Sequence, residues 1–359
     1  LPYFDKLNKY PKHKMKIHKS EALFQHRGDD VFLFTLTNNN GLEVCISNLG
    51  AIIQSFKVPN REGKLIDIVL GFDKMEQYLD PEYLKTGTYL GAIIGRYANR
   101  IANAKFKIDG QEYLLNANLP PHQLHGGHEG FDRKLWQVID FDENSLKMSY
   151  LSKDLEEFYP GNLQVLMSFS LTDNNELMMI TEATTDKATA INLTHHDYFN
   201  LDESARIDNH WVEIAADKYL GQYSDNLANG KILSVLGNCF DFTKAKQINQ
   251  HWDSNLGYDH SFLINKEYGA FAKAASAFSD KSGIKLDVFT DEPTVHFYTG
   301  KYLDINSGKN GKFYEPFSGF CFETQHHCNA INIPDFPSTI LRPGDLYKHQ
   351  TNYCLTCYQ

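Results

Sequence analysis

The segment Asn192–Leu201, NLTHHDYFNL, sets two histidines side by side ahead of an acid and two aromatics. Imidazole has an ordinary pKa close to neutrality, so it can give or take a proton at about pH 7. It is also a common metal ligand. Alternation along an extended chain limits what two neighbours can share. With a two-residue period, His196 and Tyr198 fall on one face, and His195 and Asp197 on the other. A metal pair from the adjacent histidines is awkward, and so is a joint catalytic role.

Three more segments concentrate polar groups. In GAIIGRYANRIANAKF, Arg96 and Arg100 lie four apart, which puts them on the same face of an extended strand. They read either as a functional pair or as a surface salt-bridge strand. In LPPHQLHGGHEGFDRKLW, His122, His125 and His128 would reach one metal on a helix, but Pro120, Pro121, Gly126 and Gly127 exclude a helix. A loop version lacks the fourth ligand of a recognisable zinc pattern, so no metal is expected. Gly126 and Gly127 point instead to backbone brought close to something such as a ligand. In FSGFCFETQHHCNAIN, Glu323 follows Phe320, Cys321 and Phe322. A carboxylate buried there without a partner is costly, and desolvation raises its pKa and makes it a better base. The other reading is an outward Glu on an edge strand. His326 and His327 repeat the adjacent-pair geometry and receive no role.

The elements that must position these groups read as strands and turns. VFLFTLTN, EVCISNLGAIIQSFKVPN and LIDIVLGF are separated by NNNGL and REGK. KFKIDGQEYLL carries Asp-Gly between alternating runs, a strong hairpin signal. LQVLMSFSLTDNNELMMITEATTD and IKLDVFTDEPTVHFYTG repeat the grammar. Helical candidates are short, at 73–79 and 243–249. No repeat, low-complexity tract or linker interrupts the chain. The expectation is an all-β fold, one antiparallel β-sandwich with a few short helices.

The chain has 359 residues, a net charge of −10, and only seven arginines among 35 basic residues. Phosphate backbones demand a basic footprint, so nucleic acid is not expected as a partner. Few arginines also weaken a phosphorylated substrate. No run of about 18 apolar residues exists, so no membrane span is expected. The lysine-rich stretch over residues 1–24 reads as a solvated N-terminal arm, with one domain over 25–359. No secretory signal is visible, which favours the cytoplasm, although Leu1 in place of Met leaves a removed leader and a periplasmic or secreted location open. Cys354 and Cys357, three apart on a strand, point to opposite faces and read as buried free thiols rather than a redox or zinc pair.

In order along the chain, SNLGAIIQSFKVPNREGKLIDIVLGFD, GRYANRI, LHGGHEGFDRKLW, YPGNL, NLTHHDYFNL, GYDHSF, FYTG, FCFETQ and LRPGDLYKHQTNY resemble the galactose mutarotase (aldose 1-epimerase) family. The resemblance covers residues 25–359. It implies a single large antiparallel β-sandwich and interconversion of the α and β anomers of free aldoses such as galactose and glucose, in hexose metabolism, with no metal or organic cofactor. It places Glu323 at the family's general base and His196 at its general acid. His125 falls at a second active-site histidine that binds the sugar near the reacting end. Asn99 and Arg100 match sugar-binding positions, Asp259 a carboxylate that accepts hydrogen bonds from sugar hydroxyls, and Tyr198 lines the cleft beside the acid. Arg96 is left outside the set. Before FYTG, where family members often carry Gln, this chain has His296, a departure that could tune sugar preference. The implied partner is a small aldose, and the implied state a monomer or weak dimer.

Alternative readings are a non-catalytic carbohydrate-binding β-sandwich, which could dispense with the Glu and His pair, and a hexose-phosphate epimerase, which should carry extra basic residues around the cleft. A zinc hydrolase built on the histidine-rich loops is a third, and activity unchanged by exhaustive chelation would eliminate it.

Overall fold

Alternation of apolar and polar residues builds most of this chain. In Leu163–Leu171, residues Leu163, Val165, Met167, Phe169 and Leu171 are buried while those between them face outward or lie half-buried. Each such buried side chain contributes roughly 1.5–3 kcal/mol of transfer free energy. The computed structural model describes residues 16–142, 145–250, 252 and 257–358.

Three antiparallel sheets dominate. A five-stranded meander runs through Lys16–Lys19, Leu33–Thr37, Glu43–Ser47, Ile53–Pro59 and Leu65–Asp67. A nine-stranded sheet has Glu176–Thr185, Tyr347–Cys357 and Ile284–Thr290 adjacent at its centre. A second five-stranded sheet orders Ala228–Ser234, Lys218–Gln222, Asp259–Leu263, Thr294–Tyr298 and Cys321–Gln325. One continuous apolar core joins them, with Phe34 and Phe56 from the first, Val165 and Val288 from the second, and Phe262 and Phe297 from the third. The strand-rich sandwich is the architecture expected. No helix among the described residues is long and apolar enough to cross a membrane.

The Asp-Gly hairpin forms as expected. Lys105–Ile108 pairs with Gln111–Leu114, and Asp109 and Gly110 both take positive φ, 52° and 83°, as a type I′ turn requires.

Other expectations need correcting. The 73–79 helix is a 3-10 turn at Met75–Leu79, followed by a short α-helix at Pro81–Thr86. Asp80 caps that helix by accepting from the Glu82 N–H at 2.8 Å, Pro81 opens it, and Gly87 ends it at φ 61°. No helix forms over 243–249, where Lys246–Gln247 pairs with Trp211 and Val212 instead. Arg96 and Arg100 do not share a strand, because Ile93–Ile94 and Arg100–Ile101 are separate strands with Asn99 at φ 62° between them. Cys354 and Cys357 are unpaired, but neither is buried: Cys354 is half-buried and Cys357 exposed. Lys16–Lys19 pairs with Leu33–Thr37, so the sheet begins ahead of residue 25, while residues 1–15 of the basic stretch lie outside the described residues.

Candidate active site

Three neighbouring strands present their polar residues in rows. Ser261, His296 and Glu323 are cross-strand partners, as are Asp259, Tyr298 and Cys321. Residues opposite one another across antiparallel strands have Cβ atoms about 4.5–5.5 Å apart, so each row is a contiguous polar patch. The intervening row, Phe297 and Phe322, turns into the core.

Loops bring the rest of the site onto that face. Thr194–His195 pairs with Ile93–Ile94, which carries His196 over the sheet. His196 Nε2 lies 3.7 Å from Glu323 Oε1, with both side chains buried. That separation is too long for a hydrogen bond. Glu323 Oε2 has no hydrogen-bond partner among the described residues. On its other side, His196 Nδ1 sits 3.5 Å from the Cys321 sulfur. Tyr198 packs beside it at 5.0 Å between ring centres, on the face that alternation assigned. His195 faces away, its Nδ1 3.3 Å from Asp197 Oδ1, and Tyr353 donates to the same carboxylate at 3.0 Å.

His125 arrives from Gln123–Leu124, which pairs with Arg100–Ile101. Its ring lies 5.3 Å from that of His196. The Asn99 N–H donates to its Nδ1 at 3.3 Å. That bond fixes the tautomer: Nδ1 accepts, so in the neutral ring Nε2 carries the proton. Burial, then the nearby positive charges of His196, Arg100 and His296, hold its pKa well below the ordinary value. His125 is therefore a neutral hydrogen-bond donor. Gly126 and Gly127 are tight against the protein itself: a Cβ on either would collide with the Gly95 carbonyl or the Glu157 carboxylate. The close approach expected of this glycine pair is met within the protein, by backbone for Gly126 and by a carboxylate for Gly127.

His122, His125 and His128 diverge. His122 Nε2 pairs with Asp225 Oδ2 at 3.0 Å, and His128 is exposed. One ligand atom from each of His125, His196 and Glu323 does lie within 4.8 Å of the others. A metal fits poorly there, because His125 spends Nδ1 on the Asn99 N–H and Nε2 holds its proton.

Asp259 is gripped on both oxygens. His296 Nε2 lies 2.8 Å from Oδ1, and Asn226 Nδ2 donates to Oδ2 at 3.0 Å. Burial alone would raise the Asp259 pKa, but the hydrogen bond and charge of His296, with Arg100, pull it below the carboxylate range. His296 Nδ1 lies 2.8 Å from Ser261 Oγ. Both ring nitrogens of His296 are thus engaged by the protein. Arg100 is buried, and its Nε has no protein partner. Asn99 is buried beside it, its Oδ1 accepting from the Arg100 N–H at 2.9 Å.

Arg96 belongs elsewhere. Its guanidinium donates to Ser152, Lys153, Pro160, Gly161 and Thr189 as a structural bolt.

Sequence reasoning missed Tyr89, whose ring is 4.8 Å from that of His125, and Asn226. Tyr298, 6.3 Å from the His196 ring, sits in the quoted FYTG stretch, which was the available signal. Tyr89 and Asn226 lie in turns with φ 57° and 63°, and nothing in their segments marks them.

A family model described as aldose 1-epimerase matches residues 33–354. The galactose mutarotase of Homo sapiens is 42% identical over 319 residues, 86% of this chain and 90% of that protein. The aldose 1-epimerase of Escherichia coli (strain K12) is 34% identical over 335 residues, 91% and 95% of the two chains. Among solved structures, an aldose epimerase homologue from C. elegans superposes with a TM-score of 0.84 at 31% identity, covering 90% of this chain and 98% of its own. A galactose 1-epimerase from Lactobacillus acidophilus NCFM gives 0.81 at 26% identity, covering 97% and 100%.

Proposed function

This chain belongs to the aldose 1-epimerase family and is an isomerase of the mutarotase type; from that premise we propose that Glu323 is its general base and His196 its general acid, acting on a free aldose such as galactose or glucose. The observation that carries the roles is the buried pair itself, a carboxylate and an imidazole facing each other at 3.7 Å without a hydrogen bond.

Opening a pyranose needs one proton removed and one delivered. Glu323 takes the proton of the C1 hydroxyl, the C1–O5 bond breaks as C1=O forms, and His196 gives its proton to O5. Rotation about C1–C2 in the open aldehyde presents the other carbonyl face. O5 then adds to that face, His196 recovers its proton, and Glu323 returns the other to the new C1 hydroxyl. Each group of this kind contributes about 10²–10⁴-fold in rate. His125 donates a hydrogen bond near the reacting end. Asp259, Arg100 and Asn99 hold the remaining hydroxyls, and Tyr198 walls the cleft.

A carboxylate base and an imidazolium acid must coexist, so kcat/KM follows a bell-shaped pH profile. The test is polarimetry on fresh α-D-galactose with His196→Asn and Glu323→Gln. Rates like wild type in either variant overturn the roles. Sugar binding in a calorimeter without faster mutarotation would favour the non-catalytic reading, and preference for glucose 6-phosphate over glucose the phosphate reading. We further infer a monomer or weak dimer in the cytoplasm, the compartment being supported by cysteines that are all free.

A further inference from the structure

We propose that His296 is the positioning residue of this centre: an imidazolium fixed between Asp259 and Ser261, beside Glu323, that keeps both carboxylates charged and Asp259 aimed, and that touches no sugar itself. Its catalytic consequence rests on the mutarotase reading. Its protonation state does not.

The geometry comes from the sheet register. His296 is the cross-strand partner of Glu323 on one side and of Ser261 on the other. Its Nε2 lies 2.8 Å from Asp259 Oδ1 and its Nδ1 2.8 Å from Ser261 Oγ. Ser261 Oγ in turn lies 3.0 Å from Cys328 Sγ, and Gln325 Nε2 donates to that sulfur at 3.1 Å. When the Ser261 O–H donates to the Cys328 sulfur, the Ser261 oxygen accepts from Nδ1–H. Both ring nitrogens then donate, one to a hydroxyl and one to a carboxylate.

Charge balance argues the same way. The titratable groups on the His296 face of the sheet are Asp259 from its neighbouring strand and Glu323 and Cys321 from the catalytic strand, while His260, across from Phe297, points to the other face. Cys328 and His125 lie near it from outside these strands, with Arg100 near Asp259 and His196 near Glu323. Burial holds His260 down to about 4 and keeps His125 neutral too. His196 gives its proton away during the reaction. Two buried carboxylates therefore have two cations that persist through turnover, Arg100 and His296. Burial opposes a charge on His296, but the bond to Asp259 and the nearby Glu323 outweigh it and raise its pKa well above the usual value.

The experiment has two arms. In wild-type protein with ¹⁵N-labelled histidine, long-range ¹H–¹⁵N correlation at about pH 8 reads both ring nitrogens, where an ordinary histidine is neutral. The signal belonging to His296 is the one lost in His296→Gln. Both of its nitrogens are expected to be protonated. In the second arm, kcat/KM is followed against pH in His296→Gln, which keeps an amide donor but no charge. Its acid limb is expected to move up by about one pH unit, the low end for losing a close opposite charge. A bare ring nitrogen at that pH, or superimposable acid limbs, overturns the role. If the wild-type protein shows no mutarotation, the assigned reaction fails, and the first arm alone decides the protonation state.

Discussion

Replacing Glu323 with Gln changes one atom of the site and keeps its shape. The carboxylate is buried, its Oε2 has no hydrogen-bond partner among the described residues, and its Oε1 is 3.7 Å from His196 Nε2. An amide in that place cannot take the C1 proton, so kcat should fall by about 10²–10⁴-fold. That loss corresponds to ~2.7–5.4 kcal/mol of transition-state free energy. Stability should change little, within about 1 kcal/mol, because the desolvation relieved by removing a buried charge offsets the lost attraction to the neighbouring imidazoles. The assay is polarimetry of fresh α-D-galactose in dilute buffer, corrected for spontaneous mutarotation, with urea unfolding alongside. The acid limb of the wild-type profile should also vanish, since the variant has no general base left. A rate loss below about tenfold in a folded variant, or an acid limb that survives unchanged, refutes the assignment of Glu323 as base.

Four other outcomes are expected. His196→Asn should stop turnover in polarimetry, whereas His195→Asn should keep it and lose about 1–3 kcal/mol in urea unfolding, because Asp197 loses a buried partner. Asp259→Asn should raise KM by roughly 10–100-fold in initial-rate measurements, the cost of about 1.5–3 kcal/mol for a charged hydrogen bond. The Asp259 carboxyl has its folded pKa depressed, chiefly against burial by His296 and Arg100. Its contribution to stability is therefore full above the unfolded value of about 4 and is lost as pH falls below it, so the variant's urea midpoint should fall less steeply in acid. Arg96→Lys should cost about 3 kcal/mol in urea unfolding, with KM for galactose unchanged, because an ammonium cannot serve the spread of carbonyls the guanidinium reaches.

What was legible in the sequence was what short-range physics decides. Period two separated His196 and Tyr198 from His195 and Asp197, and the structure keeps them apart. Asp109-Gly110 specified a hairpin because positive φ at both positions suits those residues. The signals for Pro81–Thr86 were also present, a capping Asp, a first-turn Pro and a closing Gly, but six residues are too few to show a 3.6-residue period. Arg96 and Arg100 read as one strand because nothing local announces that Asn99 turns the chain. Gly126 and Gly127 signalled close approach, yet their partners, Gly95 and Glu157, lie about thirty residues away on either side, beyond what a local pattern reveals. Tyr89 and Asn226 join the site only through tertiary folding.

The catalytic spacing is set by the core rather than by the polar groups. Along the three strands of the site, Phe262, Val295, Phe297 and Phe322 point one way into the apolar interior, while Asp259, Ser261, His296, Tyr298, Cys321 and Glu323 point the other. A slip of one residue in any of these strands would exchange the two sets. It would carry charged side chains into the core and lift aromatic ones out, forfeiting roughly 1.5–3 kcal/mol for each apolar side chain exposed, before the cost of burying a carboxylate. No polar contact in the site is strong enough to hold the register against that penalty. His296 therefore stands across from Glu323, and Glu323 within reach of His196, because the phenylalanines behind them admit only one alignment.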